Sequence, residues 1–223
     1  AHGLPGIAAP GLAGEHLERV LRRILVLAER LDRAEGIAAR ARLAPLLTPT
    51  PTRAYRELDD AVGLGIRVFV KHENFNPTGS FKVRNGLAFM TALPDDDRAA
   101  GVVAATRGNH GLGIAYAGRA FGVRATICVP LGNNPEKNAG MRALGARLVE
   151  EGRDYDESVQ VAERIRGEEG ATLAHSTNNR QILSGVGTLS LEFLEQAPEV
   201  DALVIAVGGG SQAVGAITAA GAV

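Results

Sequence analysis

The chain is 223 residues long, with 24 basic and 25 acidic side chains and a net charge of -1. An apolar content of 45% is enough for a buried core. The near balance of charge excludes a chain-wide basic field for nucleic acid or an anionic membrane, and small neutral or zwitterionic ligands fit better.

The opening AHGLPGIAAPGLAG has neither a basic start nor a long apolar run, so it does not read as a signal peptide, and its Pro and Gly residues predict a loose arm. No stretch reaches the roughly 20 uninterrupted apolar residues of a membrane span, and a cytoplasmic protein is expected. From Glu15 to Arg33, Leu17, Val20, Leu21, Ile24, Leu27 and Leu31 fall at helical spacing. They predict an amphipathic helix that docks on its own domain in preference to a partner. Gly36 and the prolines Pro45, Pro49 and Pro51 then end helical structure in favour of extended chain.

Beyond them the pattern alternates. IRVFVKHE reads as a strand, FKVRNGLAFMTAL as a helix, GVVAA as a strand, GLGIAYAGRAFG as a helix and ATICVP as a strand. NNPEKNAGMRALGA is a helix with Asn134 as N-cap, Pro135 at its first position and Gly145 as terminator. Strand RLVE, helix YDESVQVAERIRGEEG, strand ATLAH, helix GVGTLSLEFLEQA and strand DALVIAV follow. Strands joined by crossover helices imply an α/β fold with a mainly parallel sheet covered on both faces. Cys128, the single cysteine, lies in ATICVP and reads as a core thiol, not a nucleophile. With no internal disulfide possible, a reducing compartment is favoured.

Three motifs lie at helix starts. In NPTGSFK, residues 76–82, the turn residues Asn76, Pro77 and Gly79 lead to Ser80 as N-cap, which puts Lys82 in the first helical turn. The positive end of the helix dipole and desolvation both lower an ammonium pKa there, and a partly neutral lysine is the nucleophile that condenses with an aldehyde. An ordinary exposed lysine is the competing reading of this stretch alone. In TRGNHG, residues 106–111, backbone N–H groups from Arg107 to Gly111 crowd a helix N-terminus and form an anion site suited to a carboxylate. Asn109 adds an amide for an aromatic hydroxyl or ring. His110 reads as orienting backbone before acting as a catalytic base, and no second His, Cys or carboxylate stands at metal-ligand spacing, so no metal is expected. In VGGGSQAVGA, residues 207–216, Gly208, Gly209 and Gly210 let backbone approach a phosphate, while Ser211 caps the next helix and offers its hydroxyl. Gly208, Gly210 and Ala213 also satisfy the dinucleotide pattern G-x-G-x-x-A, a weak signal whose acidic ribose partner would fall past Val223.

Taken as a set and in this order, GSFKVRNG, GNHG and GGGS resemble the pyridoxal-phosphate enzymes of fold type II, in particular the threonine dehydratase and serine racemase group. The resemblance runs from about Thr48 to the last residue. It implies a two-domain, three-layer αβα fold of the tryptophan synthase beta type, with pyridoxal 5'-phosphate as cofactor between the domains. Residues 1–100 would form the N-terminal part of the large domain, 101–178 the small domain, and 179–223 the return to the large domain with the glycine loop. Lys82 would carry the cofactor and act as catalytic base, Asn109 would lie beside the cofactor's 3'-hydroxyl, and Gly208, Gly209, Gly210 and Ser211 would bind its phosphate. Ser80, Thr106, Arg107, Gly108, Asn109 and His110 would receive the substrate. The implied chemistry is β-elimination on a small β-hydroxy amino acid such as threonine or serine, an ammonia-lyase reaction of amino acid metabolism that gives a 2-oxo acid and ammonia. A homo-oligomer, dimer or tetramer, is expected. Two rivals stand beside it: another fold type II reaction, such as β-replacement or elimination on a different β-substituted amino acid, and a nucleotide or phosphate-binding module without covalent chemistry.

The sequence departs from the family at two places. Arg107 stands where many relatives carry the serine that is the second acid/base of serine racemase, and a guanidinium stays protonated, so racemisation is disfavoured. Arg107 either binds an extra anionic group on the substrate or faces solvent. Family members also continue past the glycine loop, adding strands and the polar residue that contacts the pyridine nitrogen. The large domain is therefore expected to be truncated, to be completed by further chain or by a partner.

Overall fold

The structure, a computed structural model, describes residues 12–29 and 31–221; most of the expected N-terminal arm lies outside them. Two helices, α1 (Leu12–Ala28) and α2 (Arg33–Leu43), replace the one expected over 15–33. The break has a chemical cause. Asp32 caps α2 by accepting from the Ala34 N–H, and the Glu35 carboxylate accepts from the Asp32 N–H. Gly36 does not stop the helix. It lies inside α2, where an added Cβ would sit 3.2 Å from Leu191 Cδ1, so its small size serves close packing. Ile24, Ala28 and Leu31 pack with Leu183, Ala213 and Val214, which places the α1 stripe on the protein's own core as expected.

The extended chain after the prolines holds β1 (Thr52–Ala54), which pairs antiparallel with β2 (Phe69–Lys71) across α3 (Arg56–Val62). β2 is shorter than the apolar run that predicts it, because Glu73–Phe75 winds into a 3-10 turn. Helices α4 (Lys82–Ala92) and α5 (Asp95–Ala100) lead to the main sheet. Its strands are β3 (Val102–Ala105), β4 (Ala125–Val129), β5 (Arg147–Glu150) and β6 (Thr172–Leu173), all parallel in the order β5-β4-β3-β6. Helices α6 (Asn109–Phe121), α7 (Pro135–Ala143) and α8 (Tyr155–Glu169) are the crossovers. Asn134 caps α7 through the Glu136 and Lys137 N–H groups, and Gly145 turns just past it at φ 87°.

Strand alternation sorts the core into two faces. Val102, Ala104, Ile127 and Val129 join Ile114 of α6 and Met141 of α7, whereas Val103, Ala105 and Cys128 face Val161, Ala162 and Ile165 of α8. Burial pushes the Cys128 thiol up to about 11, as befits a core residue.

Helices α9 (Arg180–Gln196) and α10 (Ser211–Ala220) complete the order. The strand expected over 201–207 does not form among the described residues: the segment joins no ladder, and Val204 is fully exposed. A β-branched run marks strand tendency, but the strand exists only where a neighbouring edge supplies its hydrogen bonds. Among the described residues no helix is long and apolar enough to cross a membrane.

Helix α4 sits at the centre, against α6 on one side and α9 on the other. A Cβ on Gly86 would overlap the Gly113 carbonyl, and one on Gly113 would overlap the Lys82 carbonyl, so the two backbones touch without side chains between them. Gly86→Ala is expected to cost about 1–3 kcal/mol in urea denaturation through overpacking. Gly167→Ala, in open space on α8, is expected to gain about 0.4–1 kcal/mol. A neutral Gly86→Ala would contradict the close approach of α4 and α6.

Candidate active site

Lys82 is the first residue of α4. The N-cap is Phe81, which has helical angles and no side-chain cap bond, so Ser80 does not cap; its hydroxyl is buried and unpartnered. The helix enters from a turn in which Ser80 faces inward, a placement that N-cap statistics do not anticipate. Lys82 Nζ donates to Ser211 Oγ at 2.9 Å, across 129 residues of sequence. Burial pushes the Lys82 amine down to about 8, and a neutral hydroxyl partner does nothing to restore the charge.

What aims Lys82 is a buried ion cluster on the same helix. Arg84 is 3% exposed and grips two carboxylates. Its Nε and Nη2 donate to Glu73 Oε2 and Oε1, each at 2.8 Å, and its Nη1 and Nη2 donate to Glu192 Oε2 and Oε1 at 3.0 and 3.1 Å. Glu73 also accepts from Asn76 Nδ2 at 2.7 Å and Thr50 Oγ1 at 2.6 Å, which ties the turn before Lys82 to the same carboxylate. Lys71 pairs with Glu192 from the other side. The motif reading does not single out Arg84, Glu73 or Glu192; the available signal is an arginine and a glutamate set among small and apolar residues of α4 and α9.

At the glycine turn, Gly210 is the N-cap of α10 at φ 93°, and Ser211 is the first helical residue, so its hydroxyl serves Lys82 and not a cap. The first helical N–H to find an acceptor is that of Val214, on the Gly210 carbonyl. Among the described residues the amides of Ser211, Gln212 and Ala213 have none, which leaves them open to an anion. A Cβ on Gly209 would meet Thr177 Cγ2, and one on Gly210 would meet Ile24 Cγ1, each at 2.7 Å. Arg23, another residue outside the motifs, braces this floor through Thr177 Oγ1 at 3.1 Å and Asn178 Oδ1 at 2.5 Å.

At the third motif, Thr106 Oγ1 accepts from the Gly108 and Gly111 N–H groups at 2.9 and 3.3 Å. Two of the amides expected to meet an anion are therefore already used, while those of Asn109 and His110 have no acceptor among the described residues. His110 is buried and neutral: burial first, and the Lys82 charge next, push its imidazole down to about 4. Its Nε2–H donates to the Ala174 carbonyl at 2.8 Å, and Nδ1 is left without a partner. Arg107 and Asn109 are exposed, and Asn109 Oδ1 accepts from Lys137 Nζ at 2.8 Å. The structure thus joins Lys82 to Ser211 directly and brings His110 within reach of the Lys82 charge. It gives Arg107 and Asn109 no contact with Lys82.

Thr78 Oγ1, Ser80 Oγ, both amide atoms of Asn85 and His110 Nδ1 are buried and unpartnered. Buried polar atoms of this kind call for a polar ligand or water. With a weakly basic amine at one end and open helix-start amides at the other, these residues fit a molecule that carries an aldehyde and a phosphate.

Known proteins bear on that fit. A family model described as "Pyridoxal-phosphate dependent enzyme" matches residues 43–222. The chain is 40% identical over 146 residues to an L-threonine ammonia-lyase of Thermotoga maritima, covering 66% of this chain and 36% of that protein. It is 35% identical over 185 residues to a serine racemase of Oryza sativa subsp. indica, covering 83% of this chain and 54% of that protein. The structure of maize serine racemase matches with a TM-score of 0.82 at 33% identity, over 86% of this chain and 58% of that one. The chain thus spans 36% to 58% of the length of these relatives.

An amine-selective acylating reagent, followed by peptide mass mapping, is expected to label Lys82 with a midpoint near pH 8. Ordinary lysines follow a midpoint of about 10.4. A Lys82 midpoint in that ordinary range would mean a solvated ammonium and would remove the basis for its reactivity.

Proposed function

This chain belongs to the pyridoxal-phosphate dependent enzymes, in the fold type II group of threonine dehydratases and serine racemases, and we propose that it is an ammonia-lyase for a small β-hydroxy amino acid such as threonine or serine. Its α/β architecture with a parallel sheet is the tryptophan synthase beta-like fold of that group. The observation that carries the proposal is the Lys82 amine, lowered to about 8 and hydrogen-bonded to Ser211 at the head of α10.

We assign residues 101–178, which hold the four parallel strands, to the small domain, and 1–100 with 179–223 to the large one. Pyridoxal 5'-phosphate, when bound, supplies the sink for the electron pair left at Cα. Lys82 Nζ is the residue to hold it, with Asn109 assigned to its ring. The turn Gly208, Gly209, Gly210 and the amide and hydroxyl of Ser211 are assigned to its phosphate. The open amides of Asn109 and His110, with Ser80 and the loop 106–108, receive the substrate carboxylate.

Lys82 Nζ takes the Cα proton, which requires the neutral amine that a pKa near 8 makes available at moderate pH. The bonding pair moves to form Cα=Cβ while the Cβ–O bond breaks, and the hydroxyl leaves with a proton as water. Water then replaces the nitrogen, so the net change is amino acid to 2-oxo acid plus ammonia. Arg107 favours elimination over racemisation, because its guanidinium stays protonated and offers no second base on that loop. A purely non-covalent phosphate-binding module would leave the weakly basic, inward-facing Lys82 without a role.

Pyridoxal phosphate added to the folded protein is expected to give a visible absorbance band, and threonine or serine is then expected to yield a 2-oxo acid. Lys82→Ala should abolish the band and reduce turnover by roughly 10²–10⁴-fold. A band that survives Lys82→Ala, or no 2-oxo acid from any β-hydroxy amino acid, would overturn the proposal.

A further inference from the structure

Around the parallel sheet most surface arginines are matched: Arg142, Arg147, Arg153, Arg164 and Arg166 each hold a carboxylate. Two cations at the start of α6 are not. Arg107 is exposed and pairs with no carboxylate among the described residues. Lys137, half-buried in the first turn of α7, lies along the loop, its Cγ, Cδ and Cε 3.7 to 3.9 Å from where a Gly108 Cβ would stand. Its Nζ donates to Asn109 Oδ1 at 2.8 Å, a neutral acceptor. An ammonium has three donors, so this bond leaves two free and the charge unneutralised.

The positive charge therefore exceeds what one carboxylate uses. The open amides of Asn109 and His110, backed by the α6 dipole, already suit the α-carboxylate of an amino acid. His110, beside them at 6% exposure, adds a buried and unpartnered Nδ1, an atom that calls for a polar ligand or water. Glu136 neighbours Lys137 but is exposed and makes no ion pair with either cation. A substrate with only its α-carboxylate would leave Lys137 with a neutral partner and Arg107, on the same loop, with no carboxylate among the described residues.

Resting on the lyase reading above, we propose that the preferred substrate is a β-hydroxy or β-oxygenated amino acid bearing a second anionic group, and that Lys137 and Arg107 determine this preference. A guanidinium fork accepts a carboxylate or a phosphate, and an ammonium serves either as a point charge. The elimination is unchanged for both: Lys82 takes the Cα proton, Cα=Cβ forms and the Cβ–O bond breaks. Water leaves from a substrate with a second carboxylate, and phosphate leaves from a phosphorylated one.

The folded protein loaded with pyridoxal phosphate is assayed for 2-oxo acid from threonine, 3-hydroxyaspartate and O-phosphoserine. Succinate and butyrate are compared as non-reacting competitors, followed through the cofactor spectrum. One of the two dianionic substrates is expected to exceed threonine in kcat/KM by about tenfold or more, the worth of a charge-assisted hydrogen bond. Which of them does so identifies the anion as carboxylate or phosphate. Lys137→Gln and Arg107→Gln should each cut that ratio about fivefold and weaken succinate more than butyrate, while Lys137→Arg keeps most of it. Threonine as the preferred substrate, or a ratio unmoved by both glutamine variants, overturns the inference and leaves the lyase reading standing. No 2-oxo acid from any of the three overturns both.

Discussion

The hydrogen bond from the Lys82 amine to the Ser211 hydroxyl, 2.9 Å long, joins the starts of α4 and α10. Both helix ends are positive, and an ammonium is poorly placed against either. The chain nevertheless buries this amine with a neutral partner, and the proton is what gives way: the pKa falls to about 8. Burial lowers the amine pKa, and the open amides at the head of α10, which begin at Ser211, are what suits an anion. Amine and open amides thus share Ser211, and α4 and α10 must meet for the two to be joined.

Holding that arrangement falls to groups that do no chemistry. Gly86 and Gly113 let α4 and α6 touch backbone to backbone, with the Lys82 carbonyl itself at the contact. Arg84 locks the next turn between Glu73 and Glu192, and Glu73 carries the constraint back to Asn76 in the turn that precedes the lysine. Buried ion clusters often add little net stability, since desolvation offsets most of their attraction. Their value here is geometric: four charge-assisted bonds from one planar guanidinium allow a single orientation of the helix start.

The alternation of strands and helices from β3 to β6 was legible because each element is short, apolar in the correct period and punctuated by Gly, Pro or Asn. The three motifs were legible for a related reason: glycine, turn residues and a polar group at a helix start leave local marks. What escaped was set by non-local geometry. Gly36 looked like a stop, yet it is where α2 meets Leu191 of α9. Residues 201–207 have strand composition, and no edge meets them among the described residues. Ser80 and Ser211 looked like caps, but one hydroxyl faces the buried interior and the other faces Lys82. The Arg84 cluster joins residues from three distant stretches, and nothing within any one of them announces the others.

The site's central claim is that one particular amine meets a phosphate-anchored aldehyde. Borohydride reduction of the folded protein with pyridoxal phosphate, followed by peptide mass mapping, tests it most directly. The mass increment is expected on the peptide containing Lys82, with Lys71 and Lys137 unmodified and the yield reduced when Ser211 is replaced by alanine. An increment spread over the lysines, or concentrated on any lysine other than Lys82, would contradict it.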